Sequence, residues 1–477
     1  MTVTINTRGD LTLENCFRVA WQGEDVQLGE AAQDAMAQAR VRFEQLIEDT
    51  DVVIYGVTTG YGQHAKVRLG PEERKAQAQQ PPRPAAASWG EPLPDRVVRA
   101  LVFARLANFV DGHAAVSPHI AGAVAAMLRE GRMPEVPARG QGGAGEILSL
   151  SHLFMDITLT HDLGEKDVLS LINGSPAATA LVADCALSAR RRLDLAAQVV
   201  ALAIEGFNAP LSHYEPALQE LWNNPHDRWA LEMLETLIAG GHEGERRPYQ
   251  APVSFRIAPR ILGQAQMAVC QAEAVAEHSL AAVSDNPVVL PPDHERPLGE
   301  AISTGGYHNA QSPAAMDQVT AAYANLAILA ERMSAKLLDG AVSLLPPHLE
   351  PEDSDLPYLG CLPMAATGYE EELRMLAQAT LLPGSESGGF GQNDVASPVF
   401  LAWSKQNRAG QLLEATLAAL APIAVRALDV TERPVPGKLE ELTSIIRSTF
   451  DANDPELLPG PASAKLAEAF SAAVFGP

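Results

Sequence analysis

Residues 173–207 read NGSPAATALVADCALSARRRLDLAAQVVALAIEGF. The turn-former Asn173-Gly174-Ser175 runs directly into Pro176, which suits the first position of a helix. Beyond it, Ala, Leu and Val alternate with sparse charges at helical spacing, which predicts a long helix over 176–207 buried on most sides. The same pattern predicts helices over 258–283, 313–339, 369–381 and 397–428. Asp285-Asn286-Pro287, Pro346-Pro347 and the Gly/Ser-rich 384–391 punctuate them. Strand-like alternation is brief, near 52–54 and 288–290. Long antiparallel helices with short connections make the class all-α. We divide the chain into an N-terminal part (1–175), a long-helix bundle (176–430) and a Pro-rich acidic tail (431–477) with at most two short helices. No internal repeat is present.

The composition supports this reading. Hydrophobic residues make up 47% of the 477 but aromatics only 5%, so small aliphatic side chains must build the core, as in closely packed helices. With 35 basic against 59 acidic residues, the net charge of −24 argues against a nucleic-acid partner. The opening segment lacks a basic region followed by an apolar stretch, so no secretion signal is expected. Nor does the sequence show an apolar run of the length that spans a bilayer. Cys16, Cys185, Cys270 and Cys361 form no Cys-x-x-Cys pair, and the expectation is a reduced, cytoplasmic protein. Twelve scattered histidines, with His161-Asp162 and His242-Glu243 lacking ligand spacing, predict no metal site.

Three loops carry the signs of chemistry. Tyr55-Gly56-Val57-Thr58-Thr59-Gly60-Tyr61-Gly62 has a backbone able to fold tightly, as a lid must, and a tyrosine able to act as a base if positive neighbours lower its pKa. A tight turn around a packed tyrosine is the plainer reading. Arg139-Gly140-Gln141-Gly142-Gly143-Ala144-Gly145-Glu146 is a Gly-dense loop entering a helix, with Glu146 near its first turn, where negative charge is favoured. No Lys-Ser/Thr follows, so it is not a phosphate loop. In Gln250-Ala251-Pro252-Val253-Ser254-Phe255-Arg256, an Arg in an apolar segment calls for an anion, either an internal carboxylate or that of a substrate.

Taken together and in order, these loops resemble the aromatic amino acid lyases: the histidine, phenylalanine and tyrosine ammonia-lyases and their aminomutase relatives. Further landmarks are Gly90-Glu91-Pro92-Leu93-Pro94, Val136-Pro137, Leu171-Ile172-Asn173-Gly174-Ser175, Ser284-Asp285-Asn286-Pro287, Gly305-Gly306-Tyr307-His308 and Gln392-Asn393-Asp394-Val395. The similarity spans roughly residues 10–430. It implies the ammonia-lyase helical bundle, with Tyr55 as the lid base and Arg256 clamping a substrate carboxylate. Asn173 would hydrogen-bond nearby, Gln250 and Tyr307 would line the pocket, and Gln392 and Asn393 would border it. It also implies a homotetramer whose sites combine residues from several subunits.

One departure bears on mechanism. Members of the family cyclise an Ala-Ser-Gly tripeptide into a methylidene-imidazolone (MIO), whose double bond arises by loss of the serine hydroxyl. Here only Ala144-Gly145 stands between Gly143 and the acidic Glu146. Ser149 and Ser151 lie beyond it, in what should already be helix. The expectation is that no MIO forms and no other cofactor is used. Val253 replaces a family tyrosine, Ala85 falls where histidine-specific members have His, and Gln392-Asn393-Asp394 permutes the usual order, so the pocket is expected to be remodelled. A general base contributes about 10²–10⁴-fold, roughly 3–5 of the 8–23 kcal/mol that enzymes usually supply. The leading expectation is therefore an MIO-independent enzyme using Tyr55 for elimination, addition or proton-shift isomerisation on a small carboxylate. Glu146 is a candidate second acid or base, with helix capping as its alternative role. A conventional ammonia-lyase and an inactive binding or scaffold homologue are the competing readings.

Overall fold

The computed structural model describes residues 2–49, 51–129, 131–351, 355–385, 393–452 and 454–473. It is mostly helical, as the sequence predicts. Four long helices dominate: Pro176–Phe207, Ala258–Leu280, Gln311–Leu338 and Val399–Asp429. Their Ala-rich faces let backbones come close. A β-carbon on Gly206 would stand 2.9 Å from the Ala424 carbonyl oxygen, so only glycine fits that crossing. The windows that make Asp167–Phe207 and Val399–Asp429 apolar and long enough to cross a bilayer are 94% and 89% buried. This corrects the expectation that no such stretch exists, and core packing already uses their apolar surface.

Two compact units are built, each from three separated stretches. The first comprises Met1–Ala186, Ala272–Met316 and Thr380–Ser404. In it, strands Thr2–Ile5 and Asp25–Leu28 pair in parallel, and Leu13–Ala20 packs on Asp95–Arg105. Strand Val288–Leu290, read from the sequence, pairs antiparallel with Glu300–Ile302. The alternation at 52–54 is not a strand. Ile54 and Val57 instead anchor the lid turn in a cluster with Phe43, Ile47, Ala115 and Val289, and the Thr58 hydroxyl takes the Ile54 N–H that a partner strand would have taken.

The second unit comprises Leu187–Gln271, Asp317–Ala379 and Lys405–Pro477. The helix expected over 369–381 runs from Leu362 to Leu376, since Pro363 is well placed in a first helical turn. Leu381 and Leu382 lie beyond its end and are exposed. The tail forms two short helices, Glu440–Thr449 and Pro459–Ala472.

Candidate active site

The first unit contains a cavity of about 700 Å³. Tyr55, Tyr61 and Gly62 of the lid form one side, Ala144, Gly145 and Ile147 of the Gly-rich loop another. Val168, Leu169, Ile172 and Asn173 come from the helix Asp167–Ile172 and its end. Asn286, Ser303–Gly305, Tyr307, Pro84, Ala85 and Asn393 complete the lining.

The lid is a chain of turns held by threonines. The Thr58 hydroxyl donates to the Val52 carbonyl at 2.8 Å, and Thr59 Oγ1 accepts the Gly56 N–H. Gly56 sits at φ +70°, a left-handed conformation that favours glycine, and a β-carbon there would press on the Leu169 side chain at 2.8 Å. This folding brings the Gly62 N–H to the Tyr55 hydroxyl oxygen at 3.1 Å. Burial raises the Tyr61 phenol above its ordinary pKa, and charge on Tyr55 adds to the shift.

Asn173 ends its helix with an extended backbone and is fixed from two directions. Its side-chain amide donates to the Asn286 carbonyl at 2.8 Å. Its own carbonyl accepts from Arg105 at 2.6 Å. Arg105 is fully buried, and burial pushes its guanidinium down to about 10 against the pull of Asp285 and Glu146. Asn286 Oδ1 in turn accepts the Thr304 N–H and the Ser303 hydroxyl, tying in the segment that leads to Tyr307. Behind this wall, Lys166 and Asp285 form a fully buried ion pair at 2.6 Å.

Gly145 lines the cavity. Its φ is +65°, and an added β-carbon would lie 2.5 Å from Asn173 Oδ1 and 3.6 Å from the Tyr307 ring. Neither Ala144 nor Gly145 carries a hydroxyl, Ser149 donates to the Glu146 carbonyl inside the next helix, and Ser151 is buried in that helix. The residues present therefore do not fit an MIO ring.

Glu146, the candidate acid or base, points away from the lid. Its two carboxylate oxygens accept the N–H groups of Ala177 and Ala178 at 2.6 and 2.8 Å, capping the N-terminus of Pro176–Phe207 rather than that of its own helix. A left-handed backbone at φ +56° turns it that way. Burial raises its carboxyl to about 8, opposed by those two N–H donors and by Arg105. The folded state thus holds an extra proton between the ordinary value of 4.5 and about 8, and stability falls as pH rises through that interval. Glu146→Gln is expected to remove this slope, as read from thermal unfolding across the interval.

Three sequence-predicted site residues, Tyr55, Asn173 and Tyr307, therefore meet at one cavity, which Asn393 also lines. Gln392 lies outside the described residues. Gln250 and Arg256 belong to the second unit and do not line this cavity. Gln250 is exposed, and Arg256 Nε is buried with no hydrogen-bond partner among the described residues. Their loop is held by Tyr214, whose hydroxyl donates to the Phe255 carbonyl, and by His213, which accepts the Ala251 N–H. Sequence reading missed Arg105 and the role of Asn286. The Ser-Asp-Asn-Pro landmark was the available signal for Asn286, whereas Arg105 is one of three arginines in the helix Asp95–Arg105 and nothing in the sequence sets it apart.

The helical fold thus carries a cavity lined by tyrosines of a glycine-rich turn and by Asn173 and Asn286, in a chain whose family is that of the aromatic amino acid lyases. The family model for aromatic amino acid lyases matches residues 11–158 and 155–448, and the chain belongs to that family. It is 30% identical over 470 residues to a histidine ammonia-lyase of Streptomyces coelicolor, covering 91% of this chain and 89% of that one. A histidine ammonia-lyase of Deinococcus radiodurans is 29% identical over 72% of this chain and 70% of its own. Among solved structures, the fold matches an ergothioneine-degrading ergothionase from Treponema denticola at TM-score 0.88 with 19% identity, covering 98% of each chain. It matches a Pantoea agglomerans phenylalanine aminomutase equally well, at 0.88 and 19% over 99% of each.

Proposed function

We propose that this lyase works without MIO, using Tyr55 as a base to eliminate from, add to, or shift a proton within a small carboxylate-bearing substrate. The observation that carries this reading is the meeting of Tyr55, Asn173 and Tyr307 around a loop with no hydroxyl to lose and no room for a side chain at Gly145. Arg256, whose Nε has no hydrogen-bond partner among the described residues, then serves as the carboxylate clamp of a neighbouring subunit's cavity in a homotetramer, with Gln250 beside it. Asn173, held by Arg105 and Asn286, orients the substrate. Glu146 positions this wall by capping the long helix. Without an electrophile to activate an amine, the base suffices where the proton is already acidic or the leaving group departs readily.

The Streptomyces relative's name favours a second reading, conventional histidine deamination. Intact-mass measurement separates the two. The expected mass is that of the unmodified chain, and a deficit of two waters would establish an internal ring and overturn the first reading.

A further inference from the structure

We propose that Tyr61 is the general acid of this cavity and that the substrate class it serves is a 3-hydroxy carboxylate, dehydrated to the 2,3-unsaturated acid or formed from it. The proposal rests on Tyr55 being the base. Tyr55 and Tyr61 stand at the two ends of one turn and line the same cavity. The turn places the Gly62 N–H, next in chain to Tyr61, on the Tyr55 oxygen at 3.1 Å. A β-carbon on Gly56, next to Tyr55, would lie 3.6 Å from the Tyr61 ring. Tyr61 is 40% exposed and also lines a small recess with Arg74, Glu165 and Lys166.

Burial holds the proton on Tyr61, and charge on Tyr55, which lines the same cavity, acts in the same direction. One site thus holds a proton acceptor and a proton donor made from the same chemical group, the separation that marks an acid–base pair. Loss of ammonia from an ammonium has no use for such a donor, because the amine leaves neutral. Loss of hydroxide does require one.

In the step, the Tyr55 phenolate takes the C2 proton beside the clamped carboxylate, and the C–H electron pair becomes the C2–C3 π bond. The C3–O bond breaks with its pair moving to oxygen, and the Tyr61 O–H proton joins it to release water. Tyr55 is left neutral and Tyr61 ionised, and one solvent-relayed proton from Tyr55 to Tyr61 restores the start. Nothing is oxidised or reduced. Ile147, Val168, Leu169 and Ile172 offer an apolar wall for a substituent at C3.

The test uses the full-length protein with two probes on one skeleton, 3-hydroxy-4-phenylbutanoate and 3-chloro-4-phenylbutanoate, following vinyl protons by NMR. Chloride leaves without a proton. Tyr61→Phe should lose about 10²–10⁴-fold on the hydroxy acid and stay within a few-fold on the chloro acid, whereas Tyr55→Phe should lose both. Tyr61→His, which restores a donor, should recover part of the hydroxy activity. Unchanged hydroxy turnover in Tyr61→Phe, or equal losses on both probes, overturns the assignment. Wild-type turnover of the chloro acid alone overturns the acid and the substrate class but leaves the base standing. Turnover indifferent to Tyr55→Phe overturns the base, and wild-type turnover of neither probe overturns the substrate class.

Discussion

Tyr55→Phe is expected to lower turnover by about 10²–10⁴-fold, the contribution of a positioned base, with little change in folding. The hydroxyl accepts one backbone N–H, from Gly62, and loss of one such bond costs about 0.5–1.5 kcal/mol. The ring and the threonine-held turn around it are untouched, because Thr58 and Thr59 bond to backbone groups independently of Tyr55. Steady-state rates and a thermal unfolding curve measured on the same preparation check both halves. A variant that keeps its turnover removes Tyr55 from the mechanism, and one that also melts early reassigns it to structure.

Lys166→Met is expected to show the largest stability loss, about 3–5 kcal/mol, typical of removing one partner from a buried ion pair. Both side chains are fully buried, and Lys166 Nζ also donates to the Ser170 hydroxyl. Burial already depresses the lysine's pKa, against the pull of Asp285. Without the ammonium, the Asp285 carboxylate keeps the Asn286 N–H and the attraction of the buried Arg105 guanidinium, but no direct ion pair. Because Asn286 holds Asn173 through its carbonyl, activity should fall with stability. Lys166→Met combined with Asp285→Leu should recover part of the stability, since it removes the unpaired buried carboxylate while leaving the Asn286 N–H and Arg105 without the Asp285 partner. Denaturant unfolding of the two variants side by side measures the difference, and equal losses would show that the cost comes from packing.

How much of this was legible beforehand depends on the interaction involved. The long helices could be read because burial and helix periodicity are both written along the chain, and the Asn-Gly-Ser-Pro start at 173–176 marks its own boundary. Val52–Ile54 misled because a short apolar alternation is the same whether it pairs as a strand or anchors a turn, and the Thr58 side chain decides between them. Leu362–Leu376 begins earlier than its periodicity suggested because Pro363 reads as a breaker unless it falls in the first turn. Tyr55, Asn173 and Tyr307 could be named from ordered motifs. Arg105 could not, since its partner is the carbonyl oxygen of Asn173, a group every residue possesses.

Residue types and spacing by themselves determined the helical class, the lid with its tyrosine, the family resemblance, and the missing hydroxyl between Gly143 and Glu146. These are properties of local periodicity and of which atoms a side chain owns. Direction was decided only by the tertiary structure. Glu146 turns its carboxylate to the amides of Ala177 and Ala178, Asn173 fills the space a side chain at Gly145 would need, and Gln250 and Arg256 fall in a different unit from the cavity. Those outcomes depend on contacts between groups far apart in sequence, where the burial of each donor and acceptor, and not its neighbours in the chain, selects the partner.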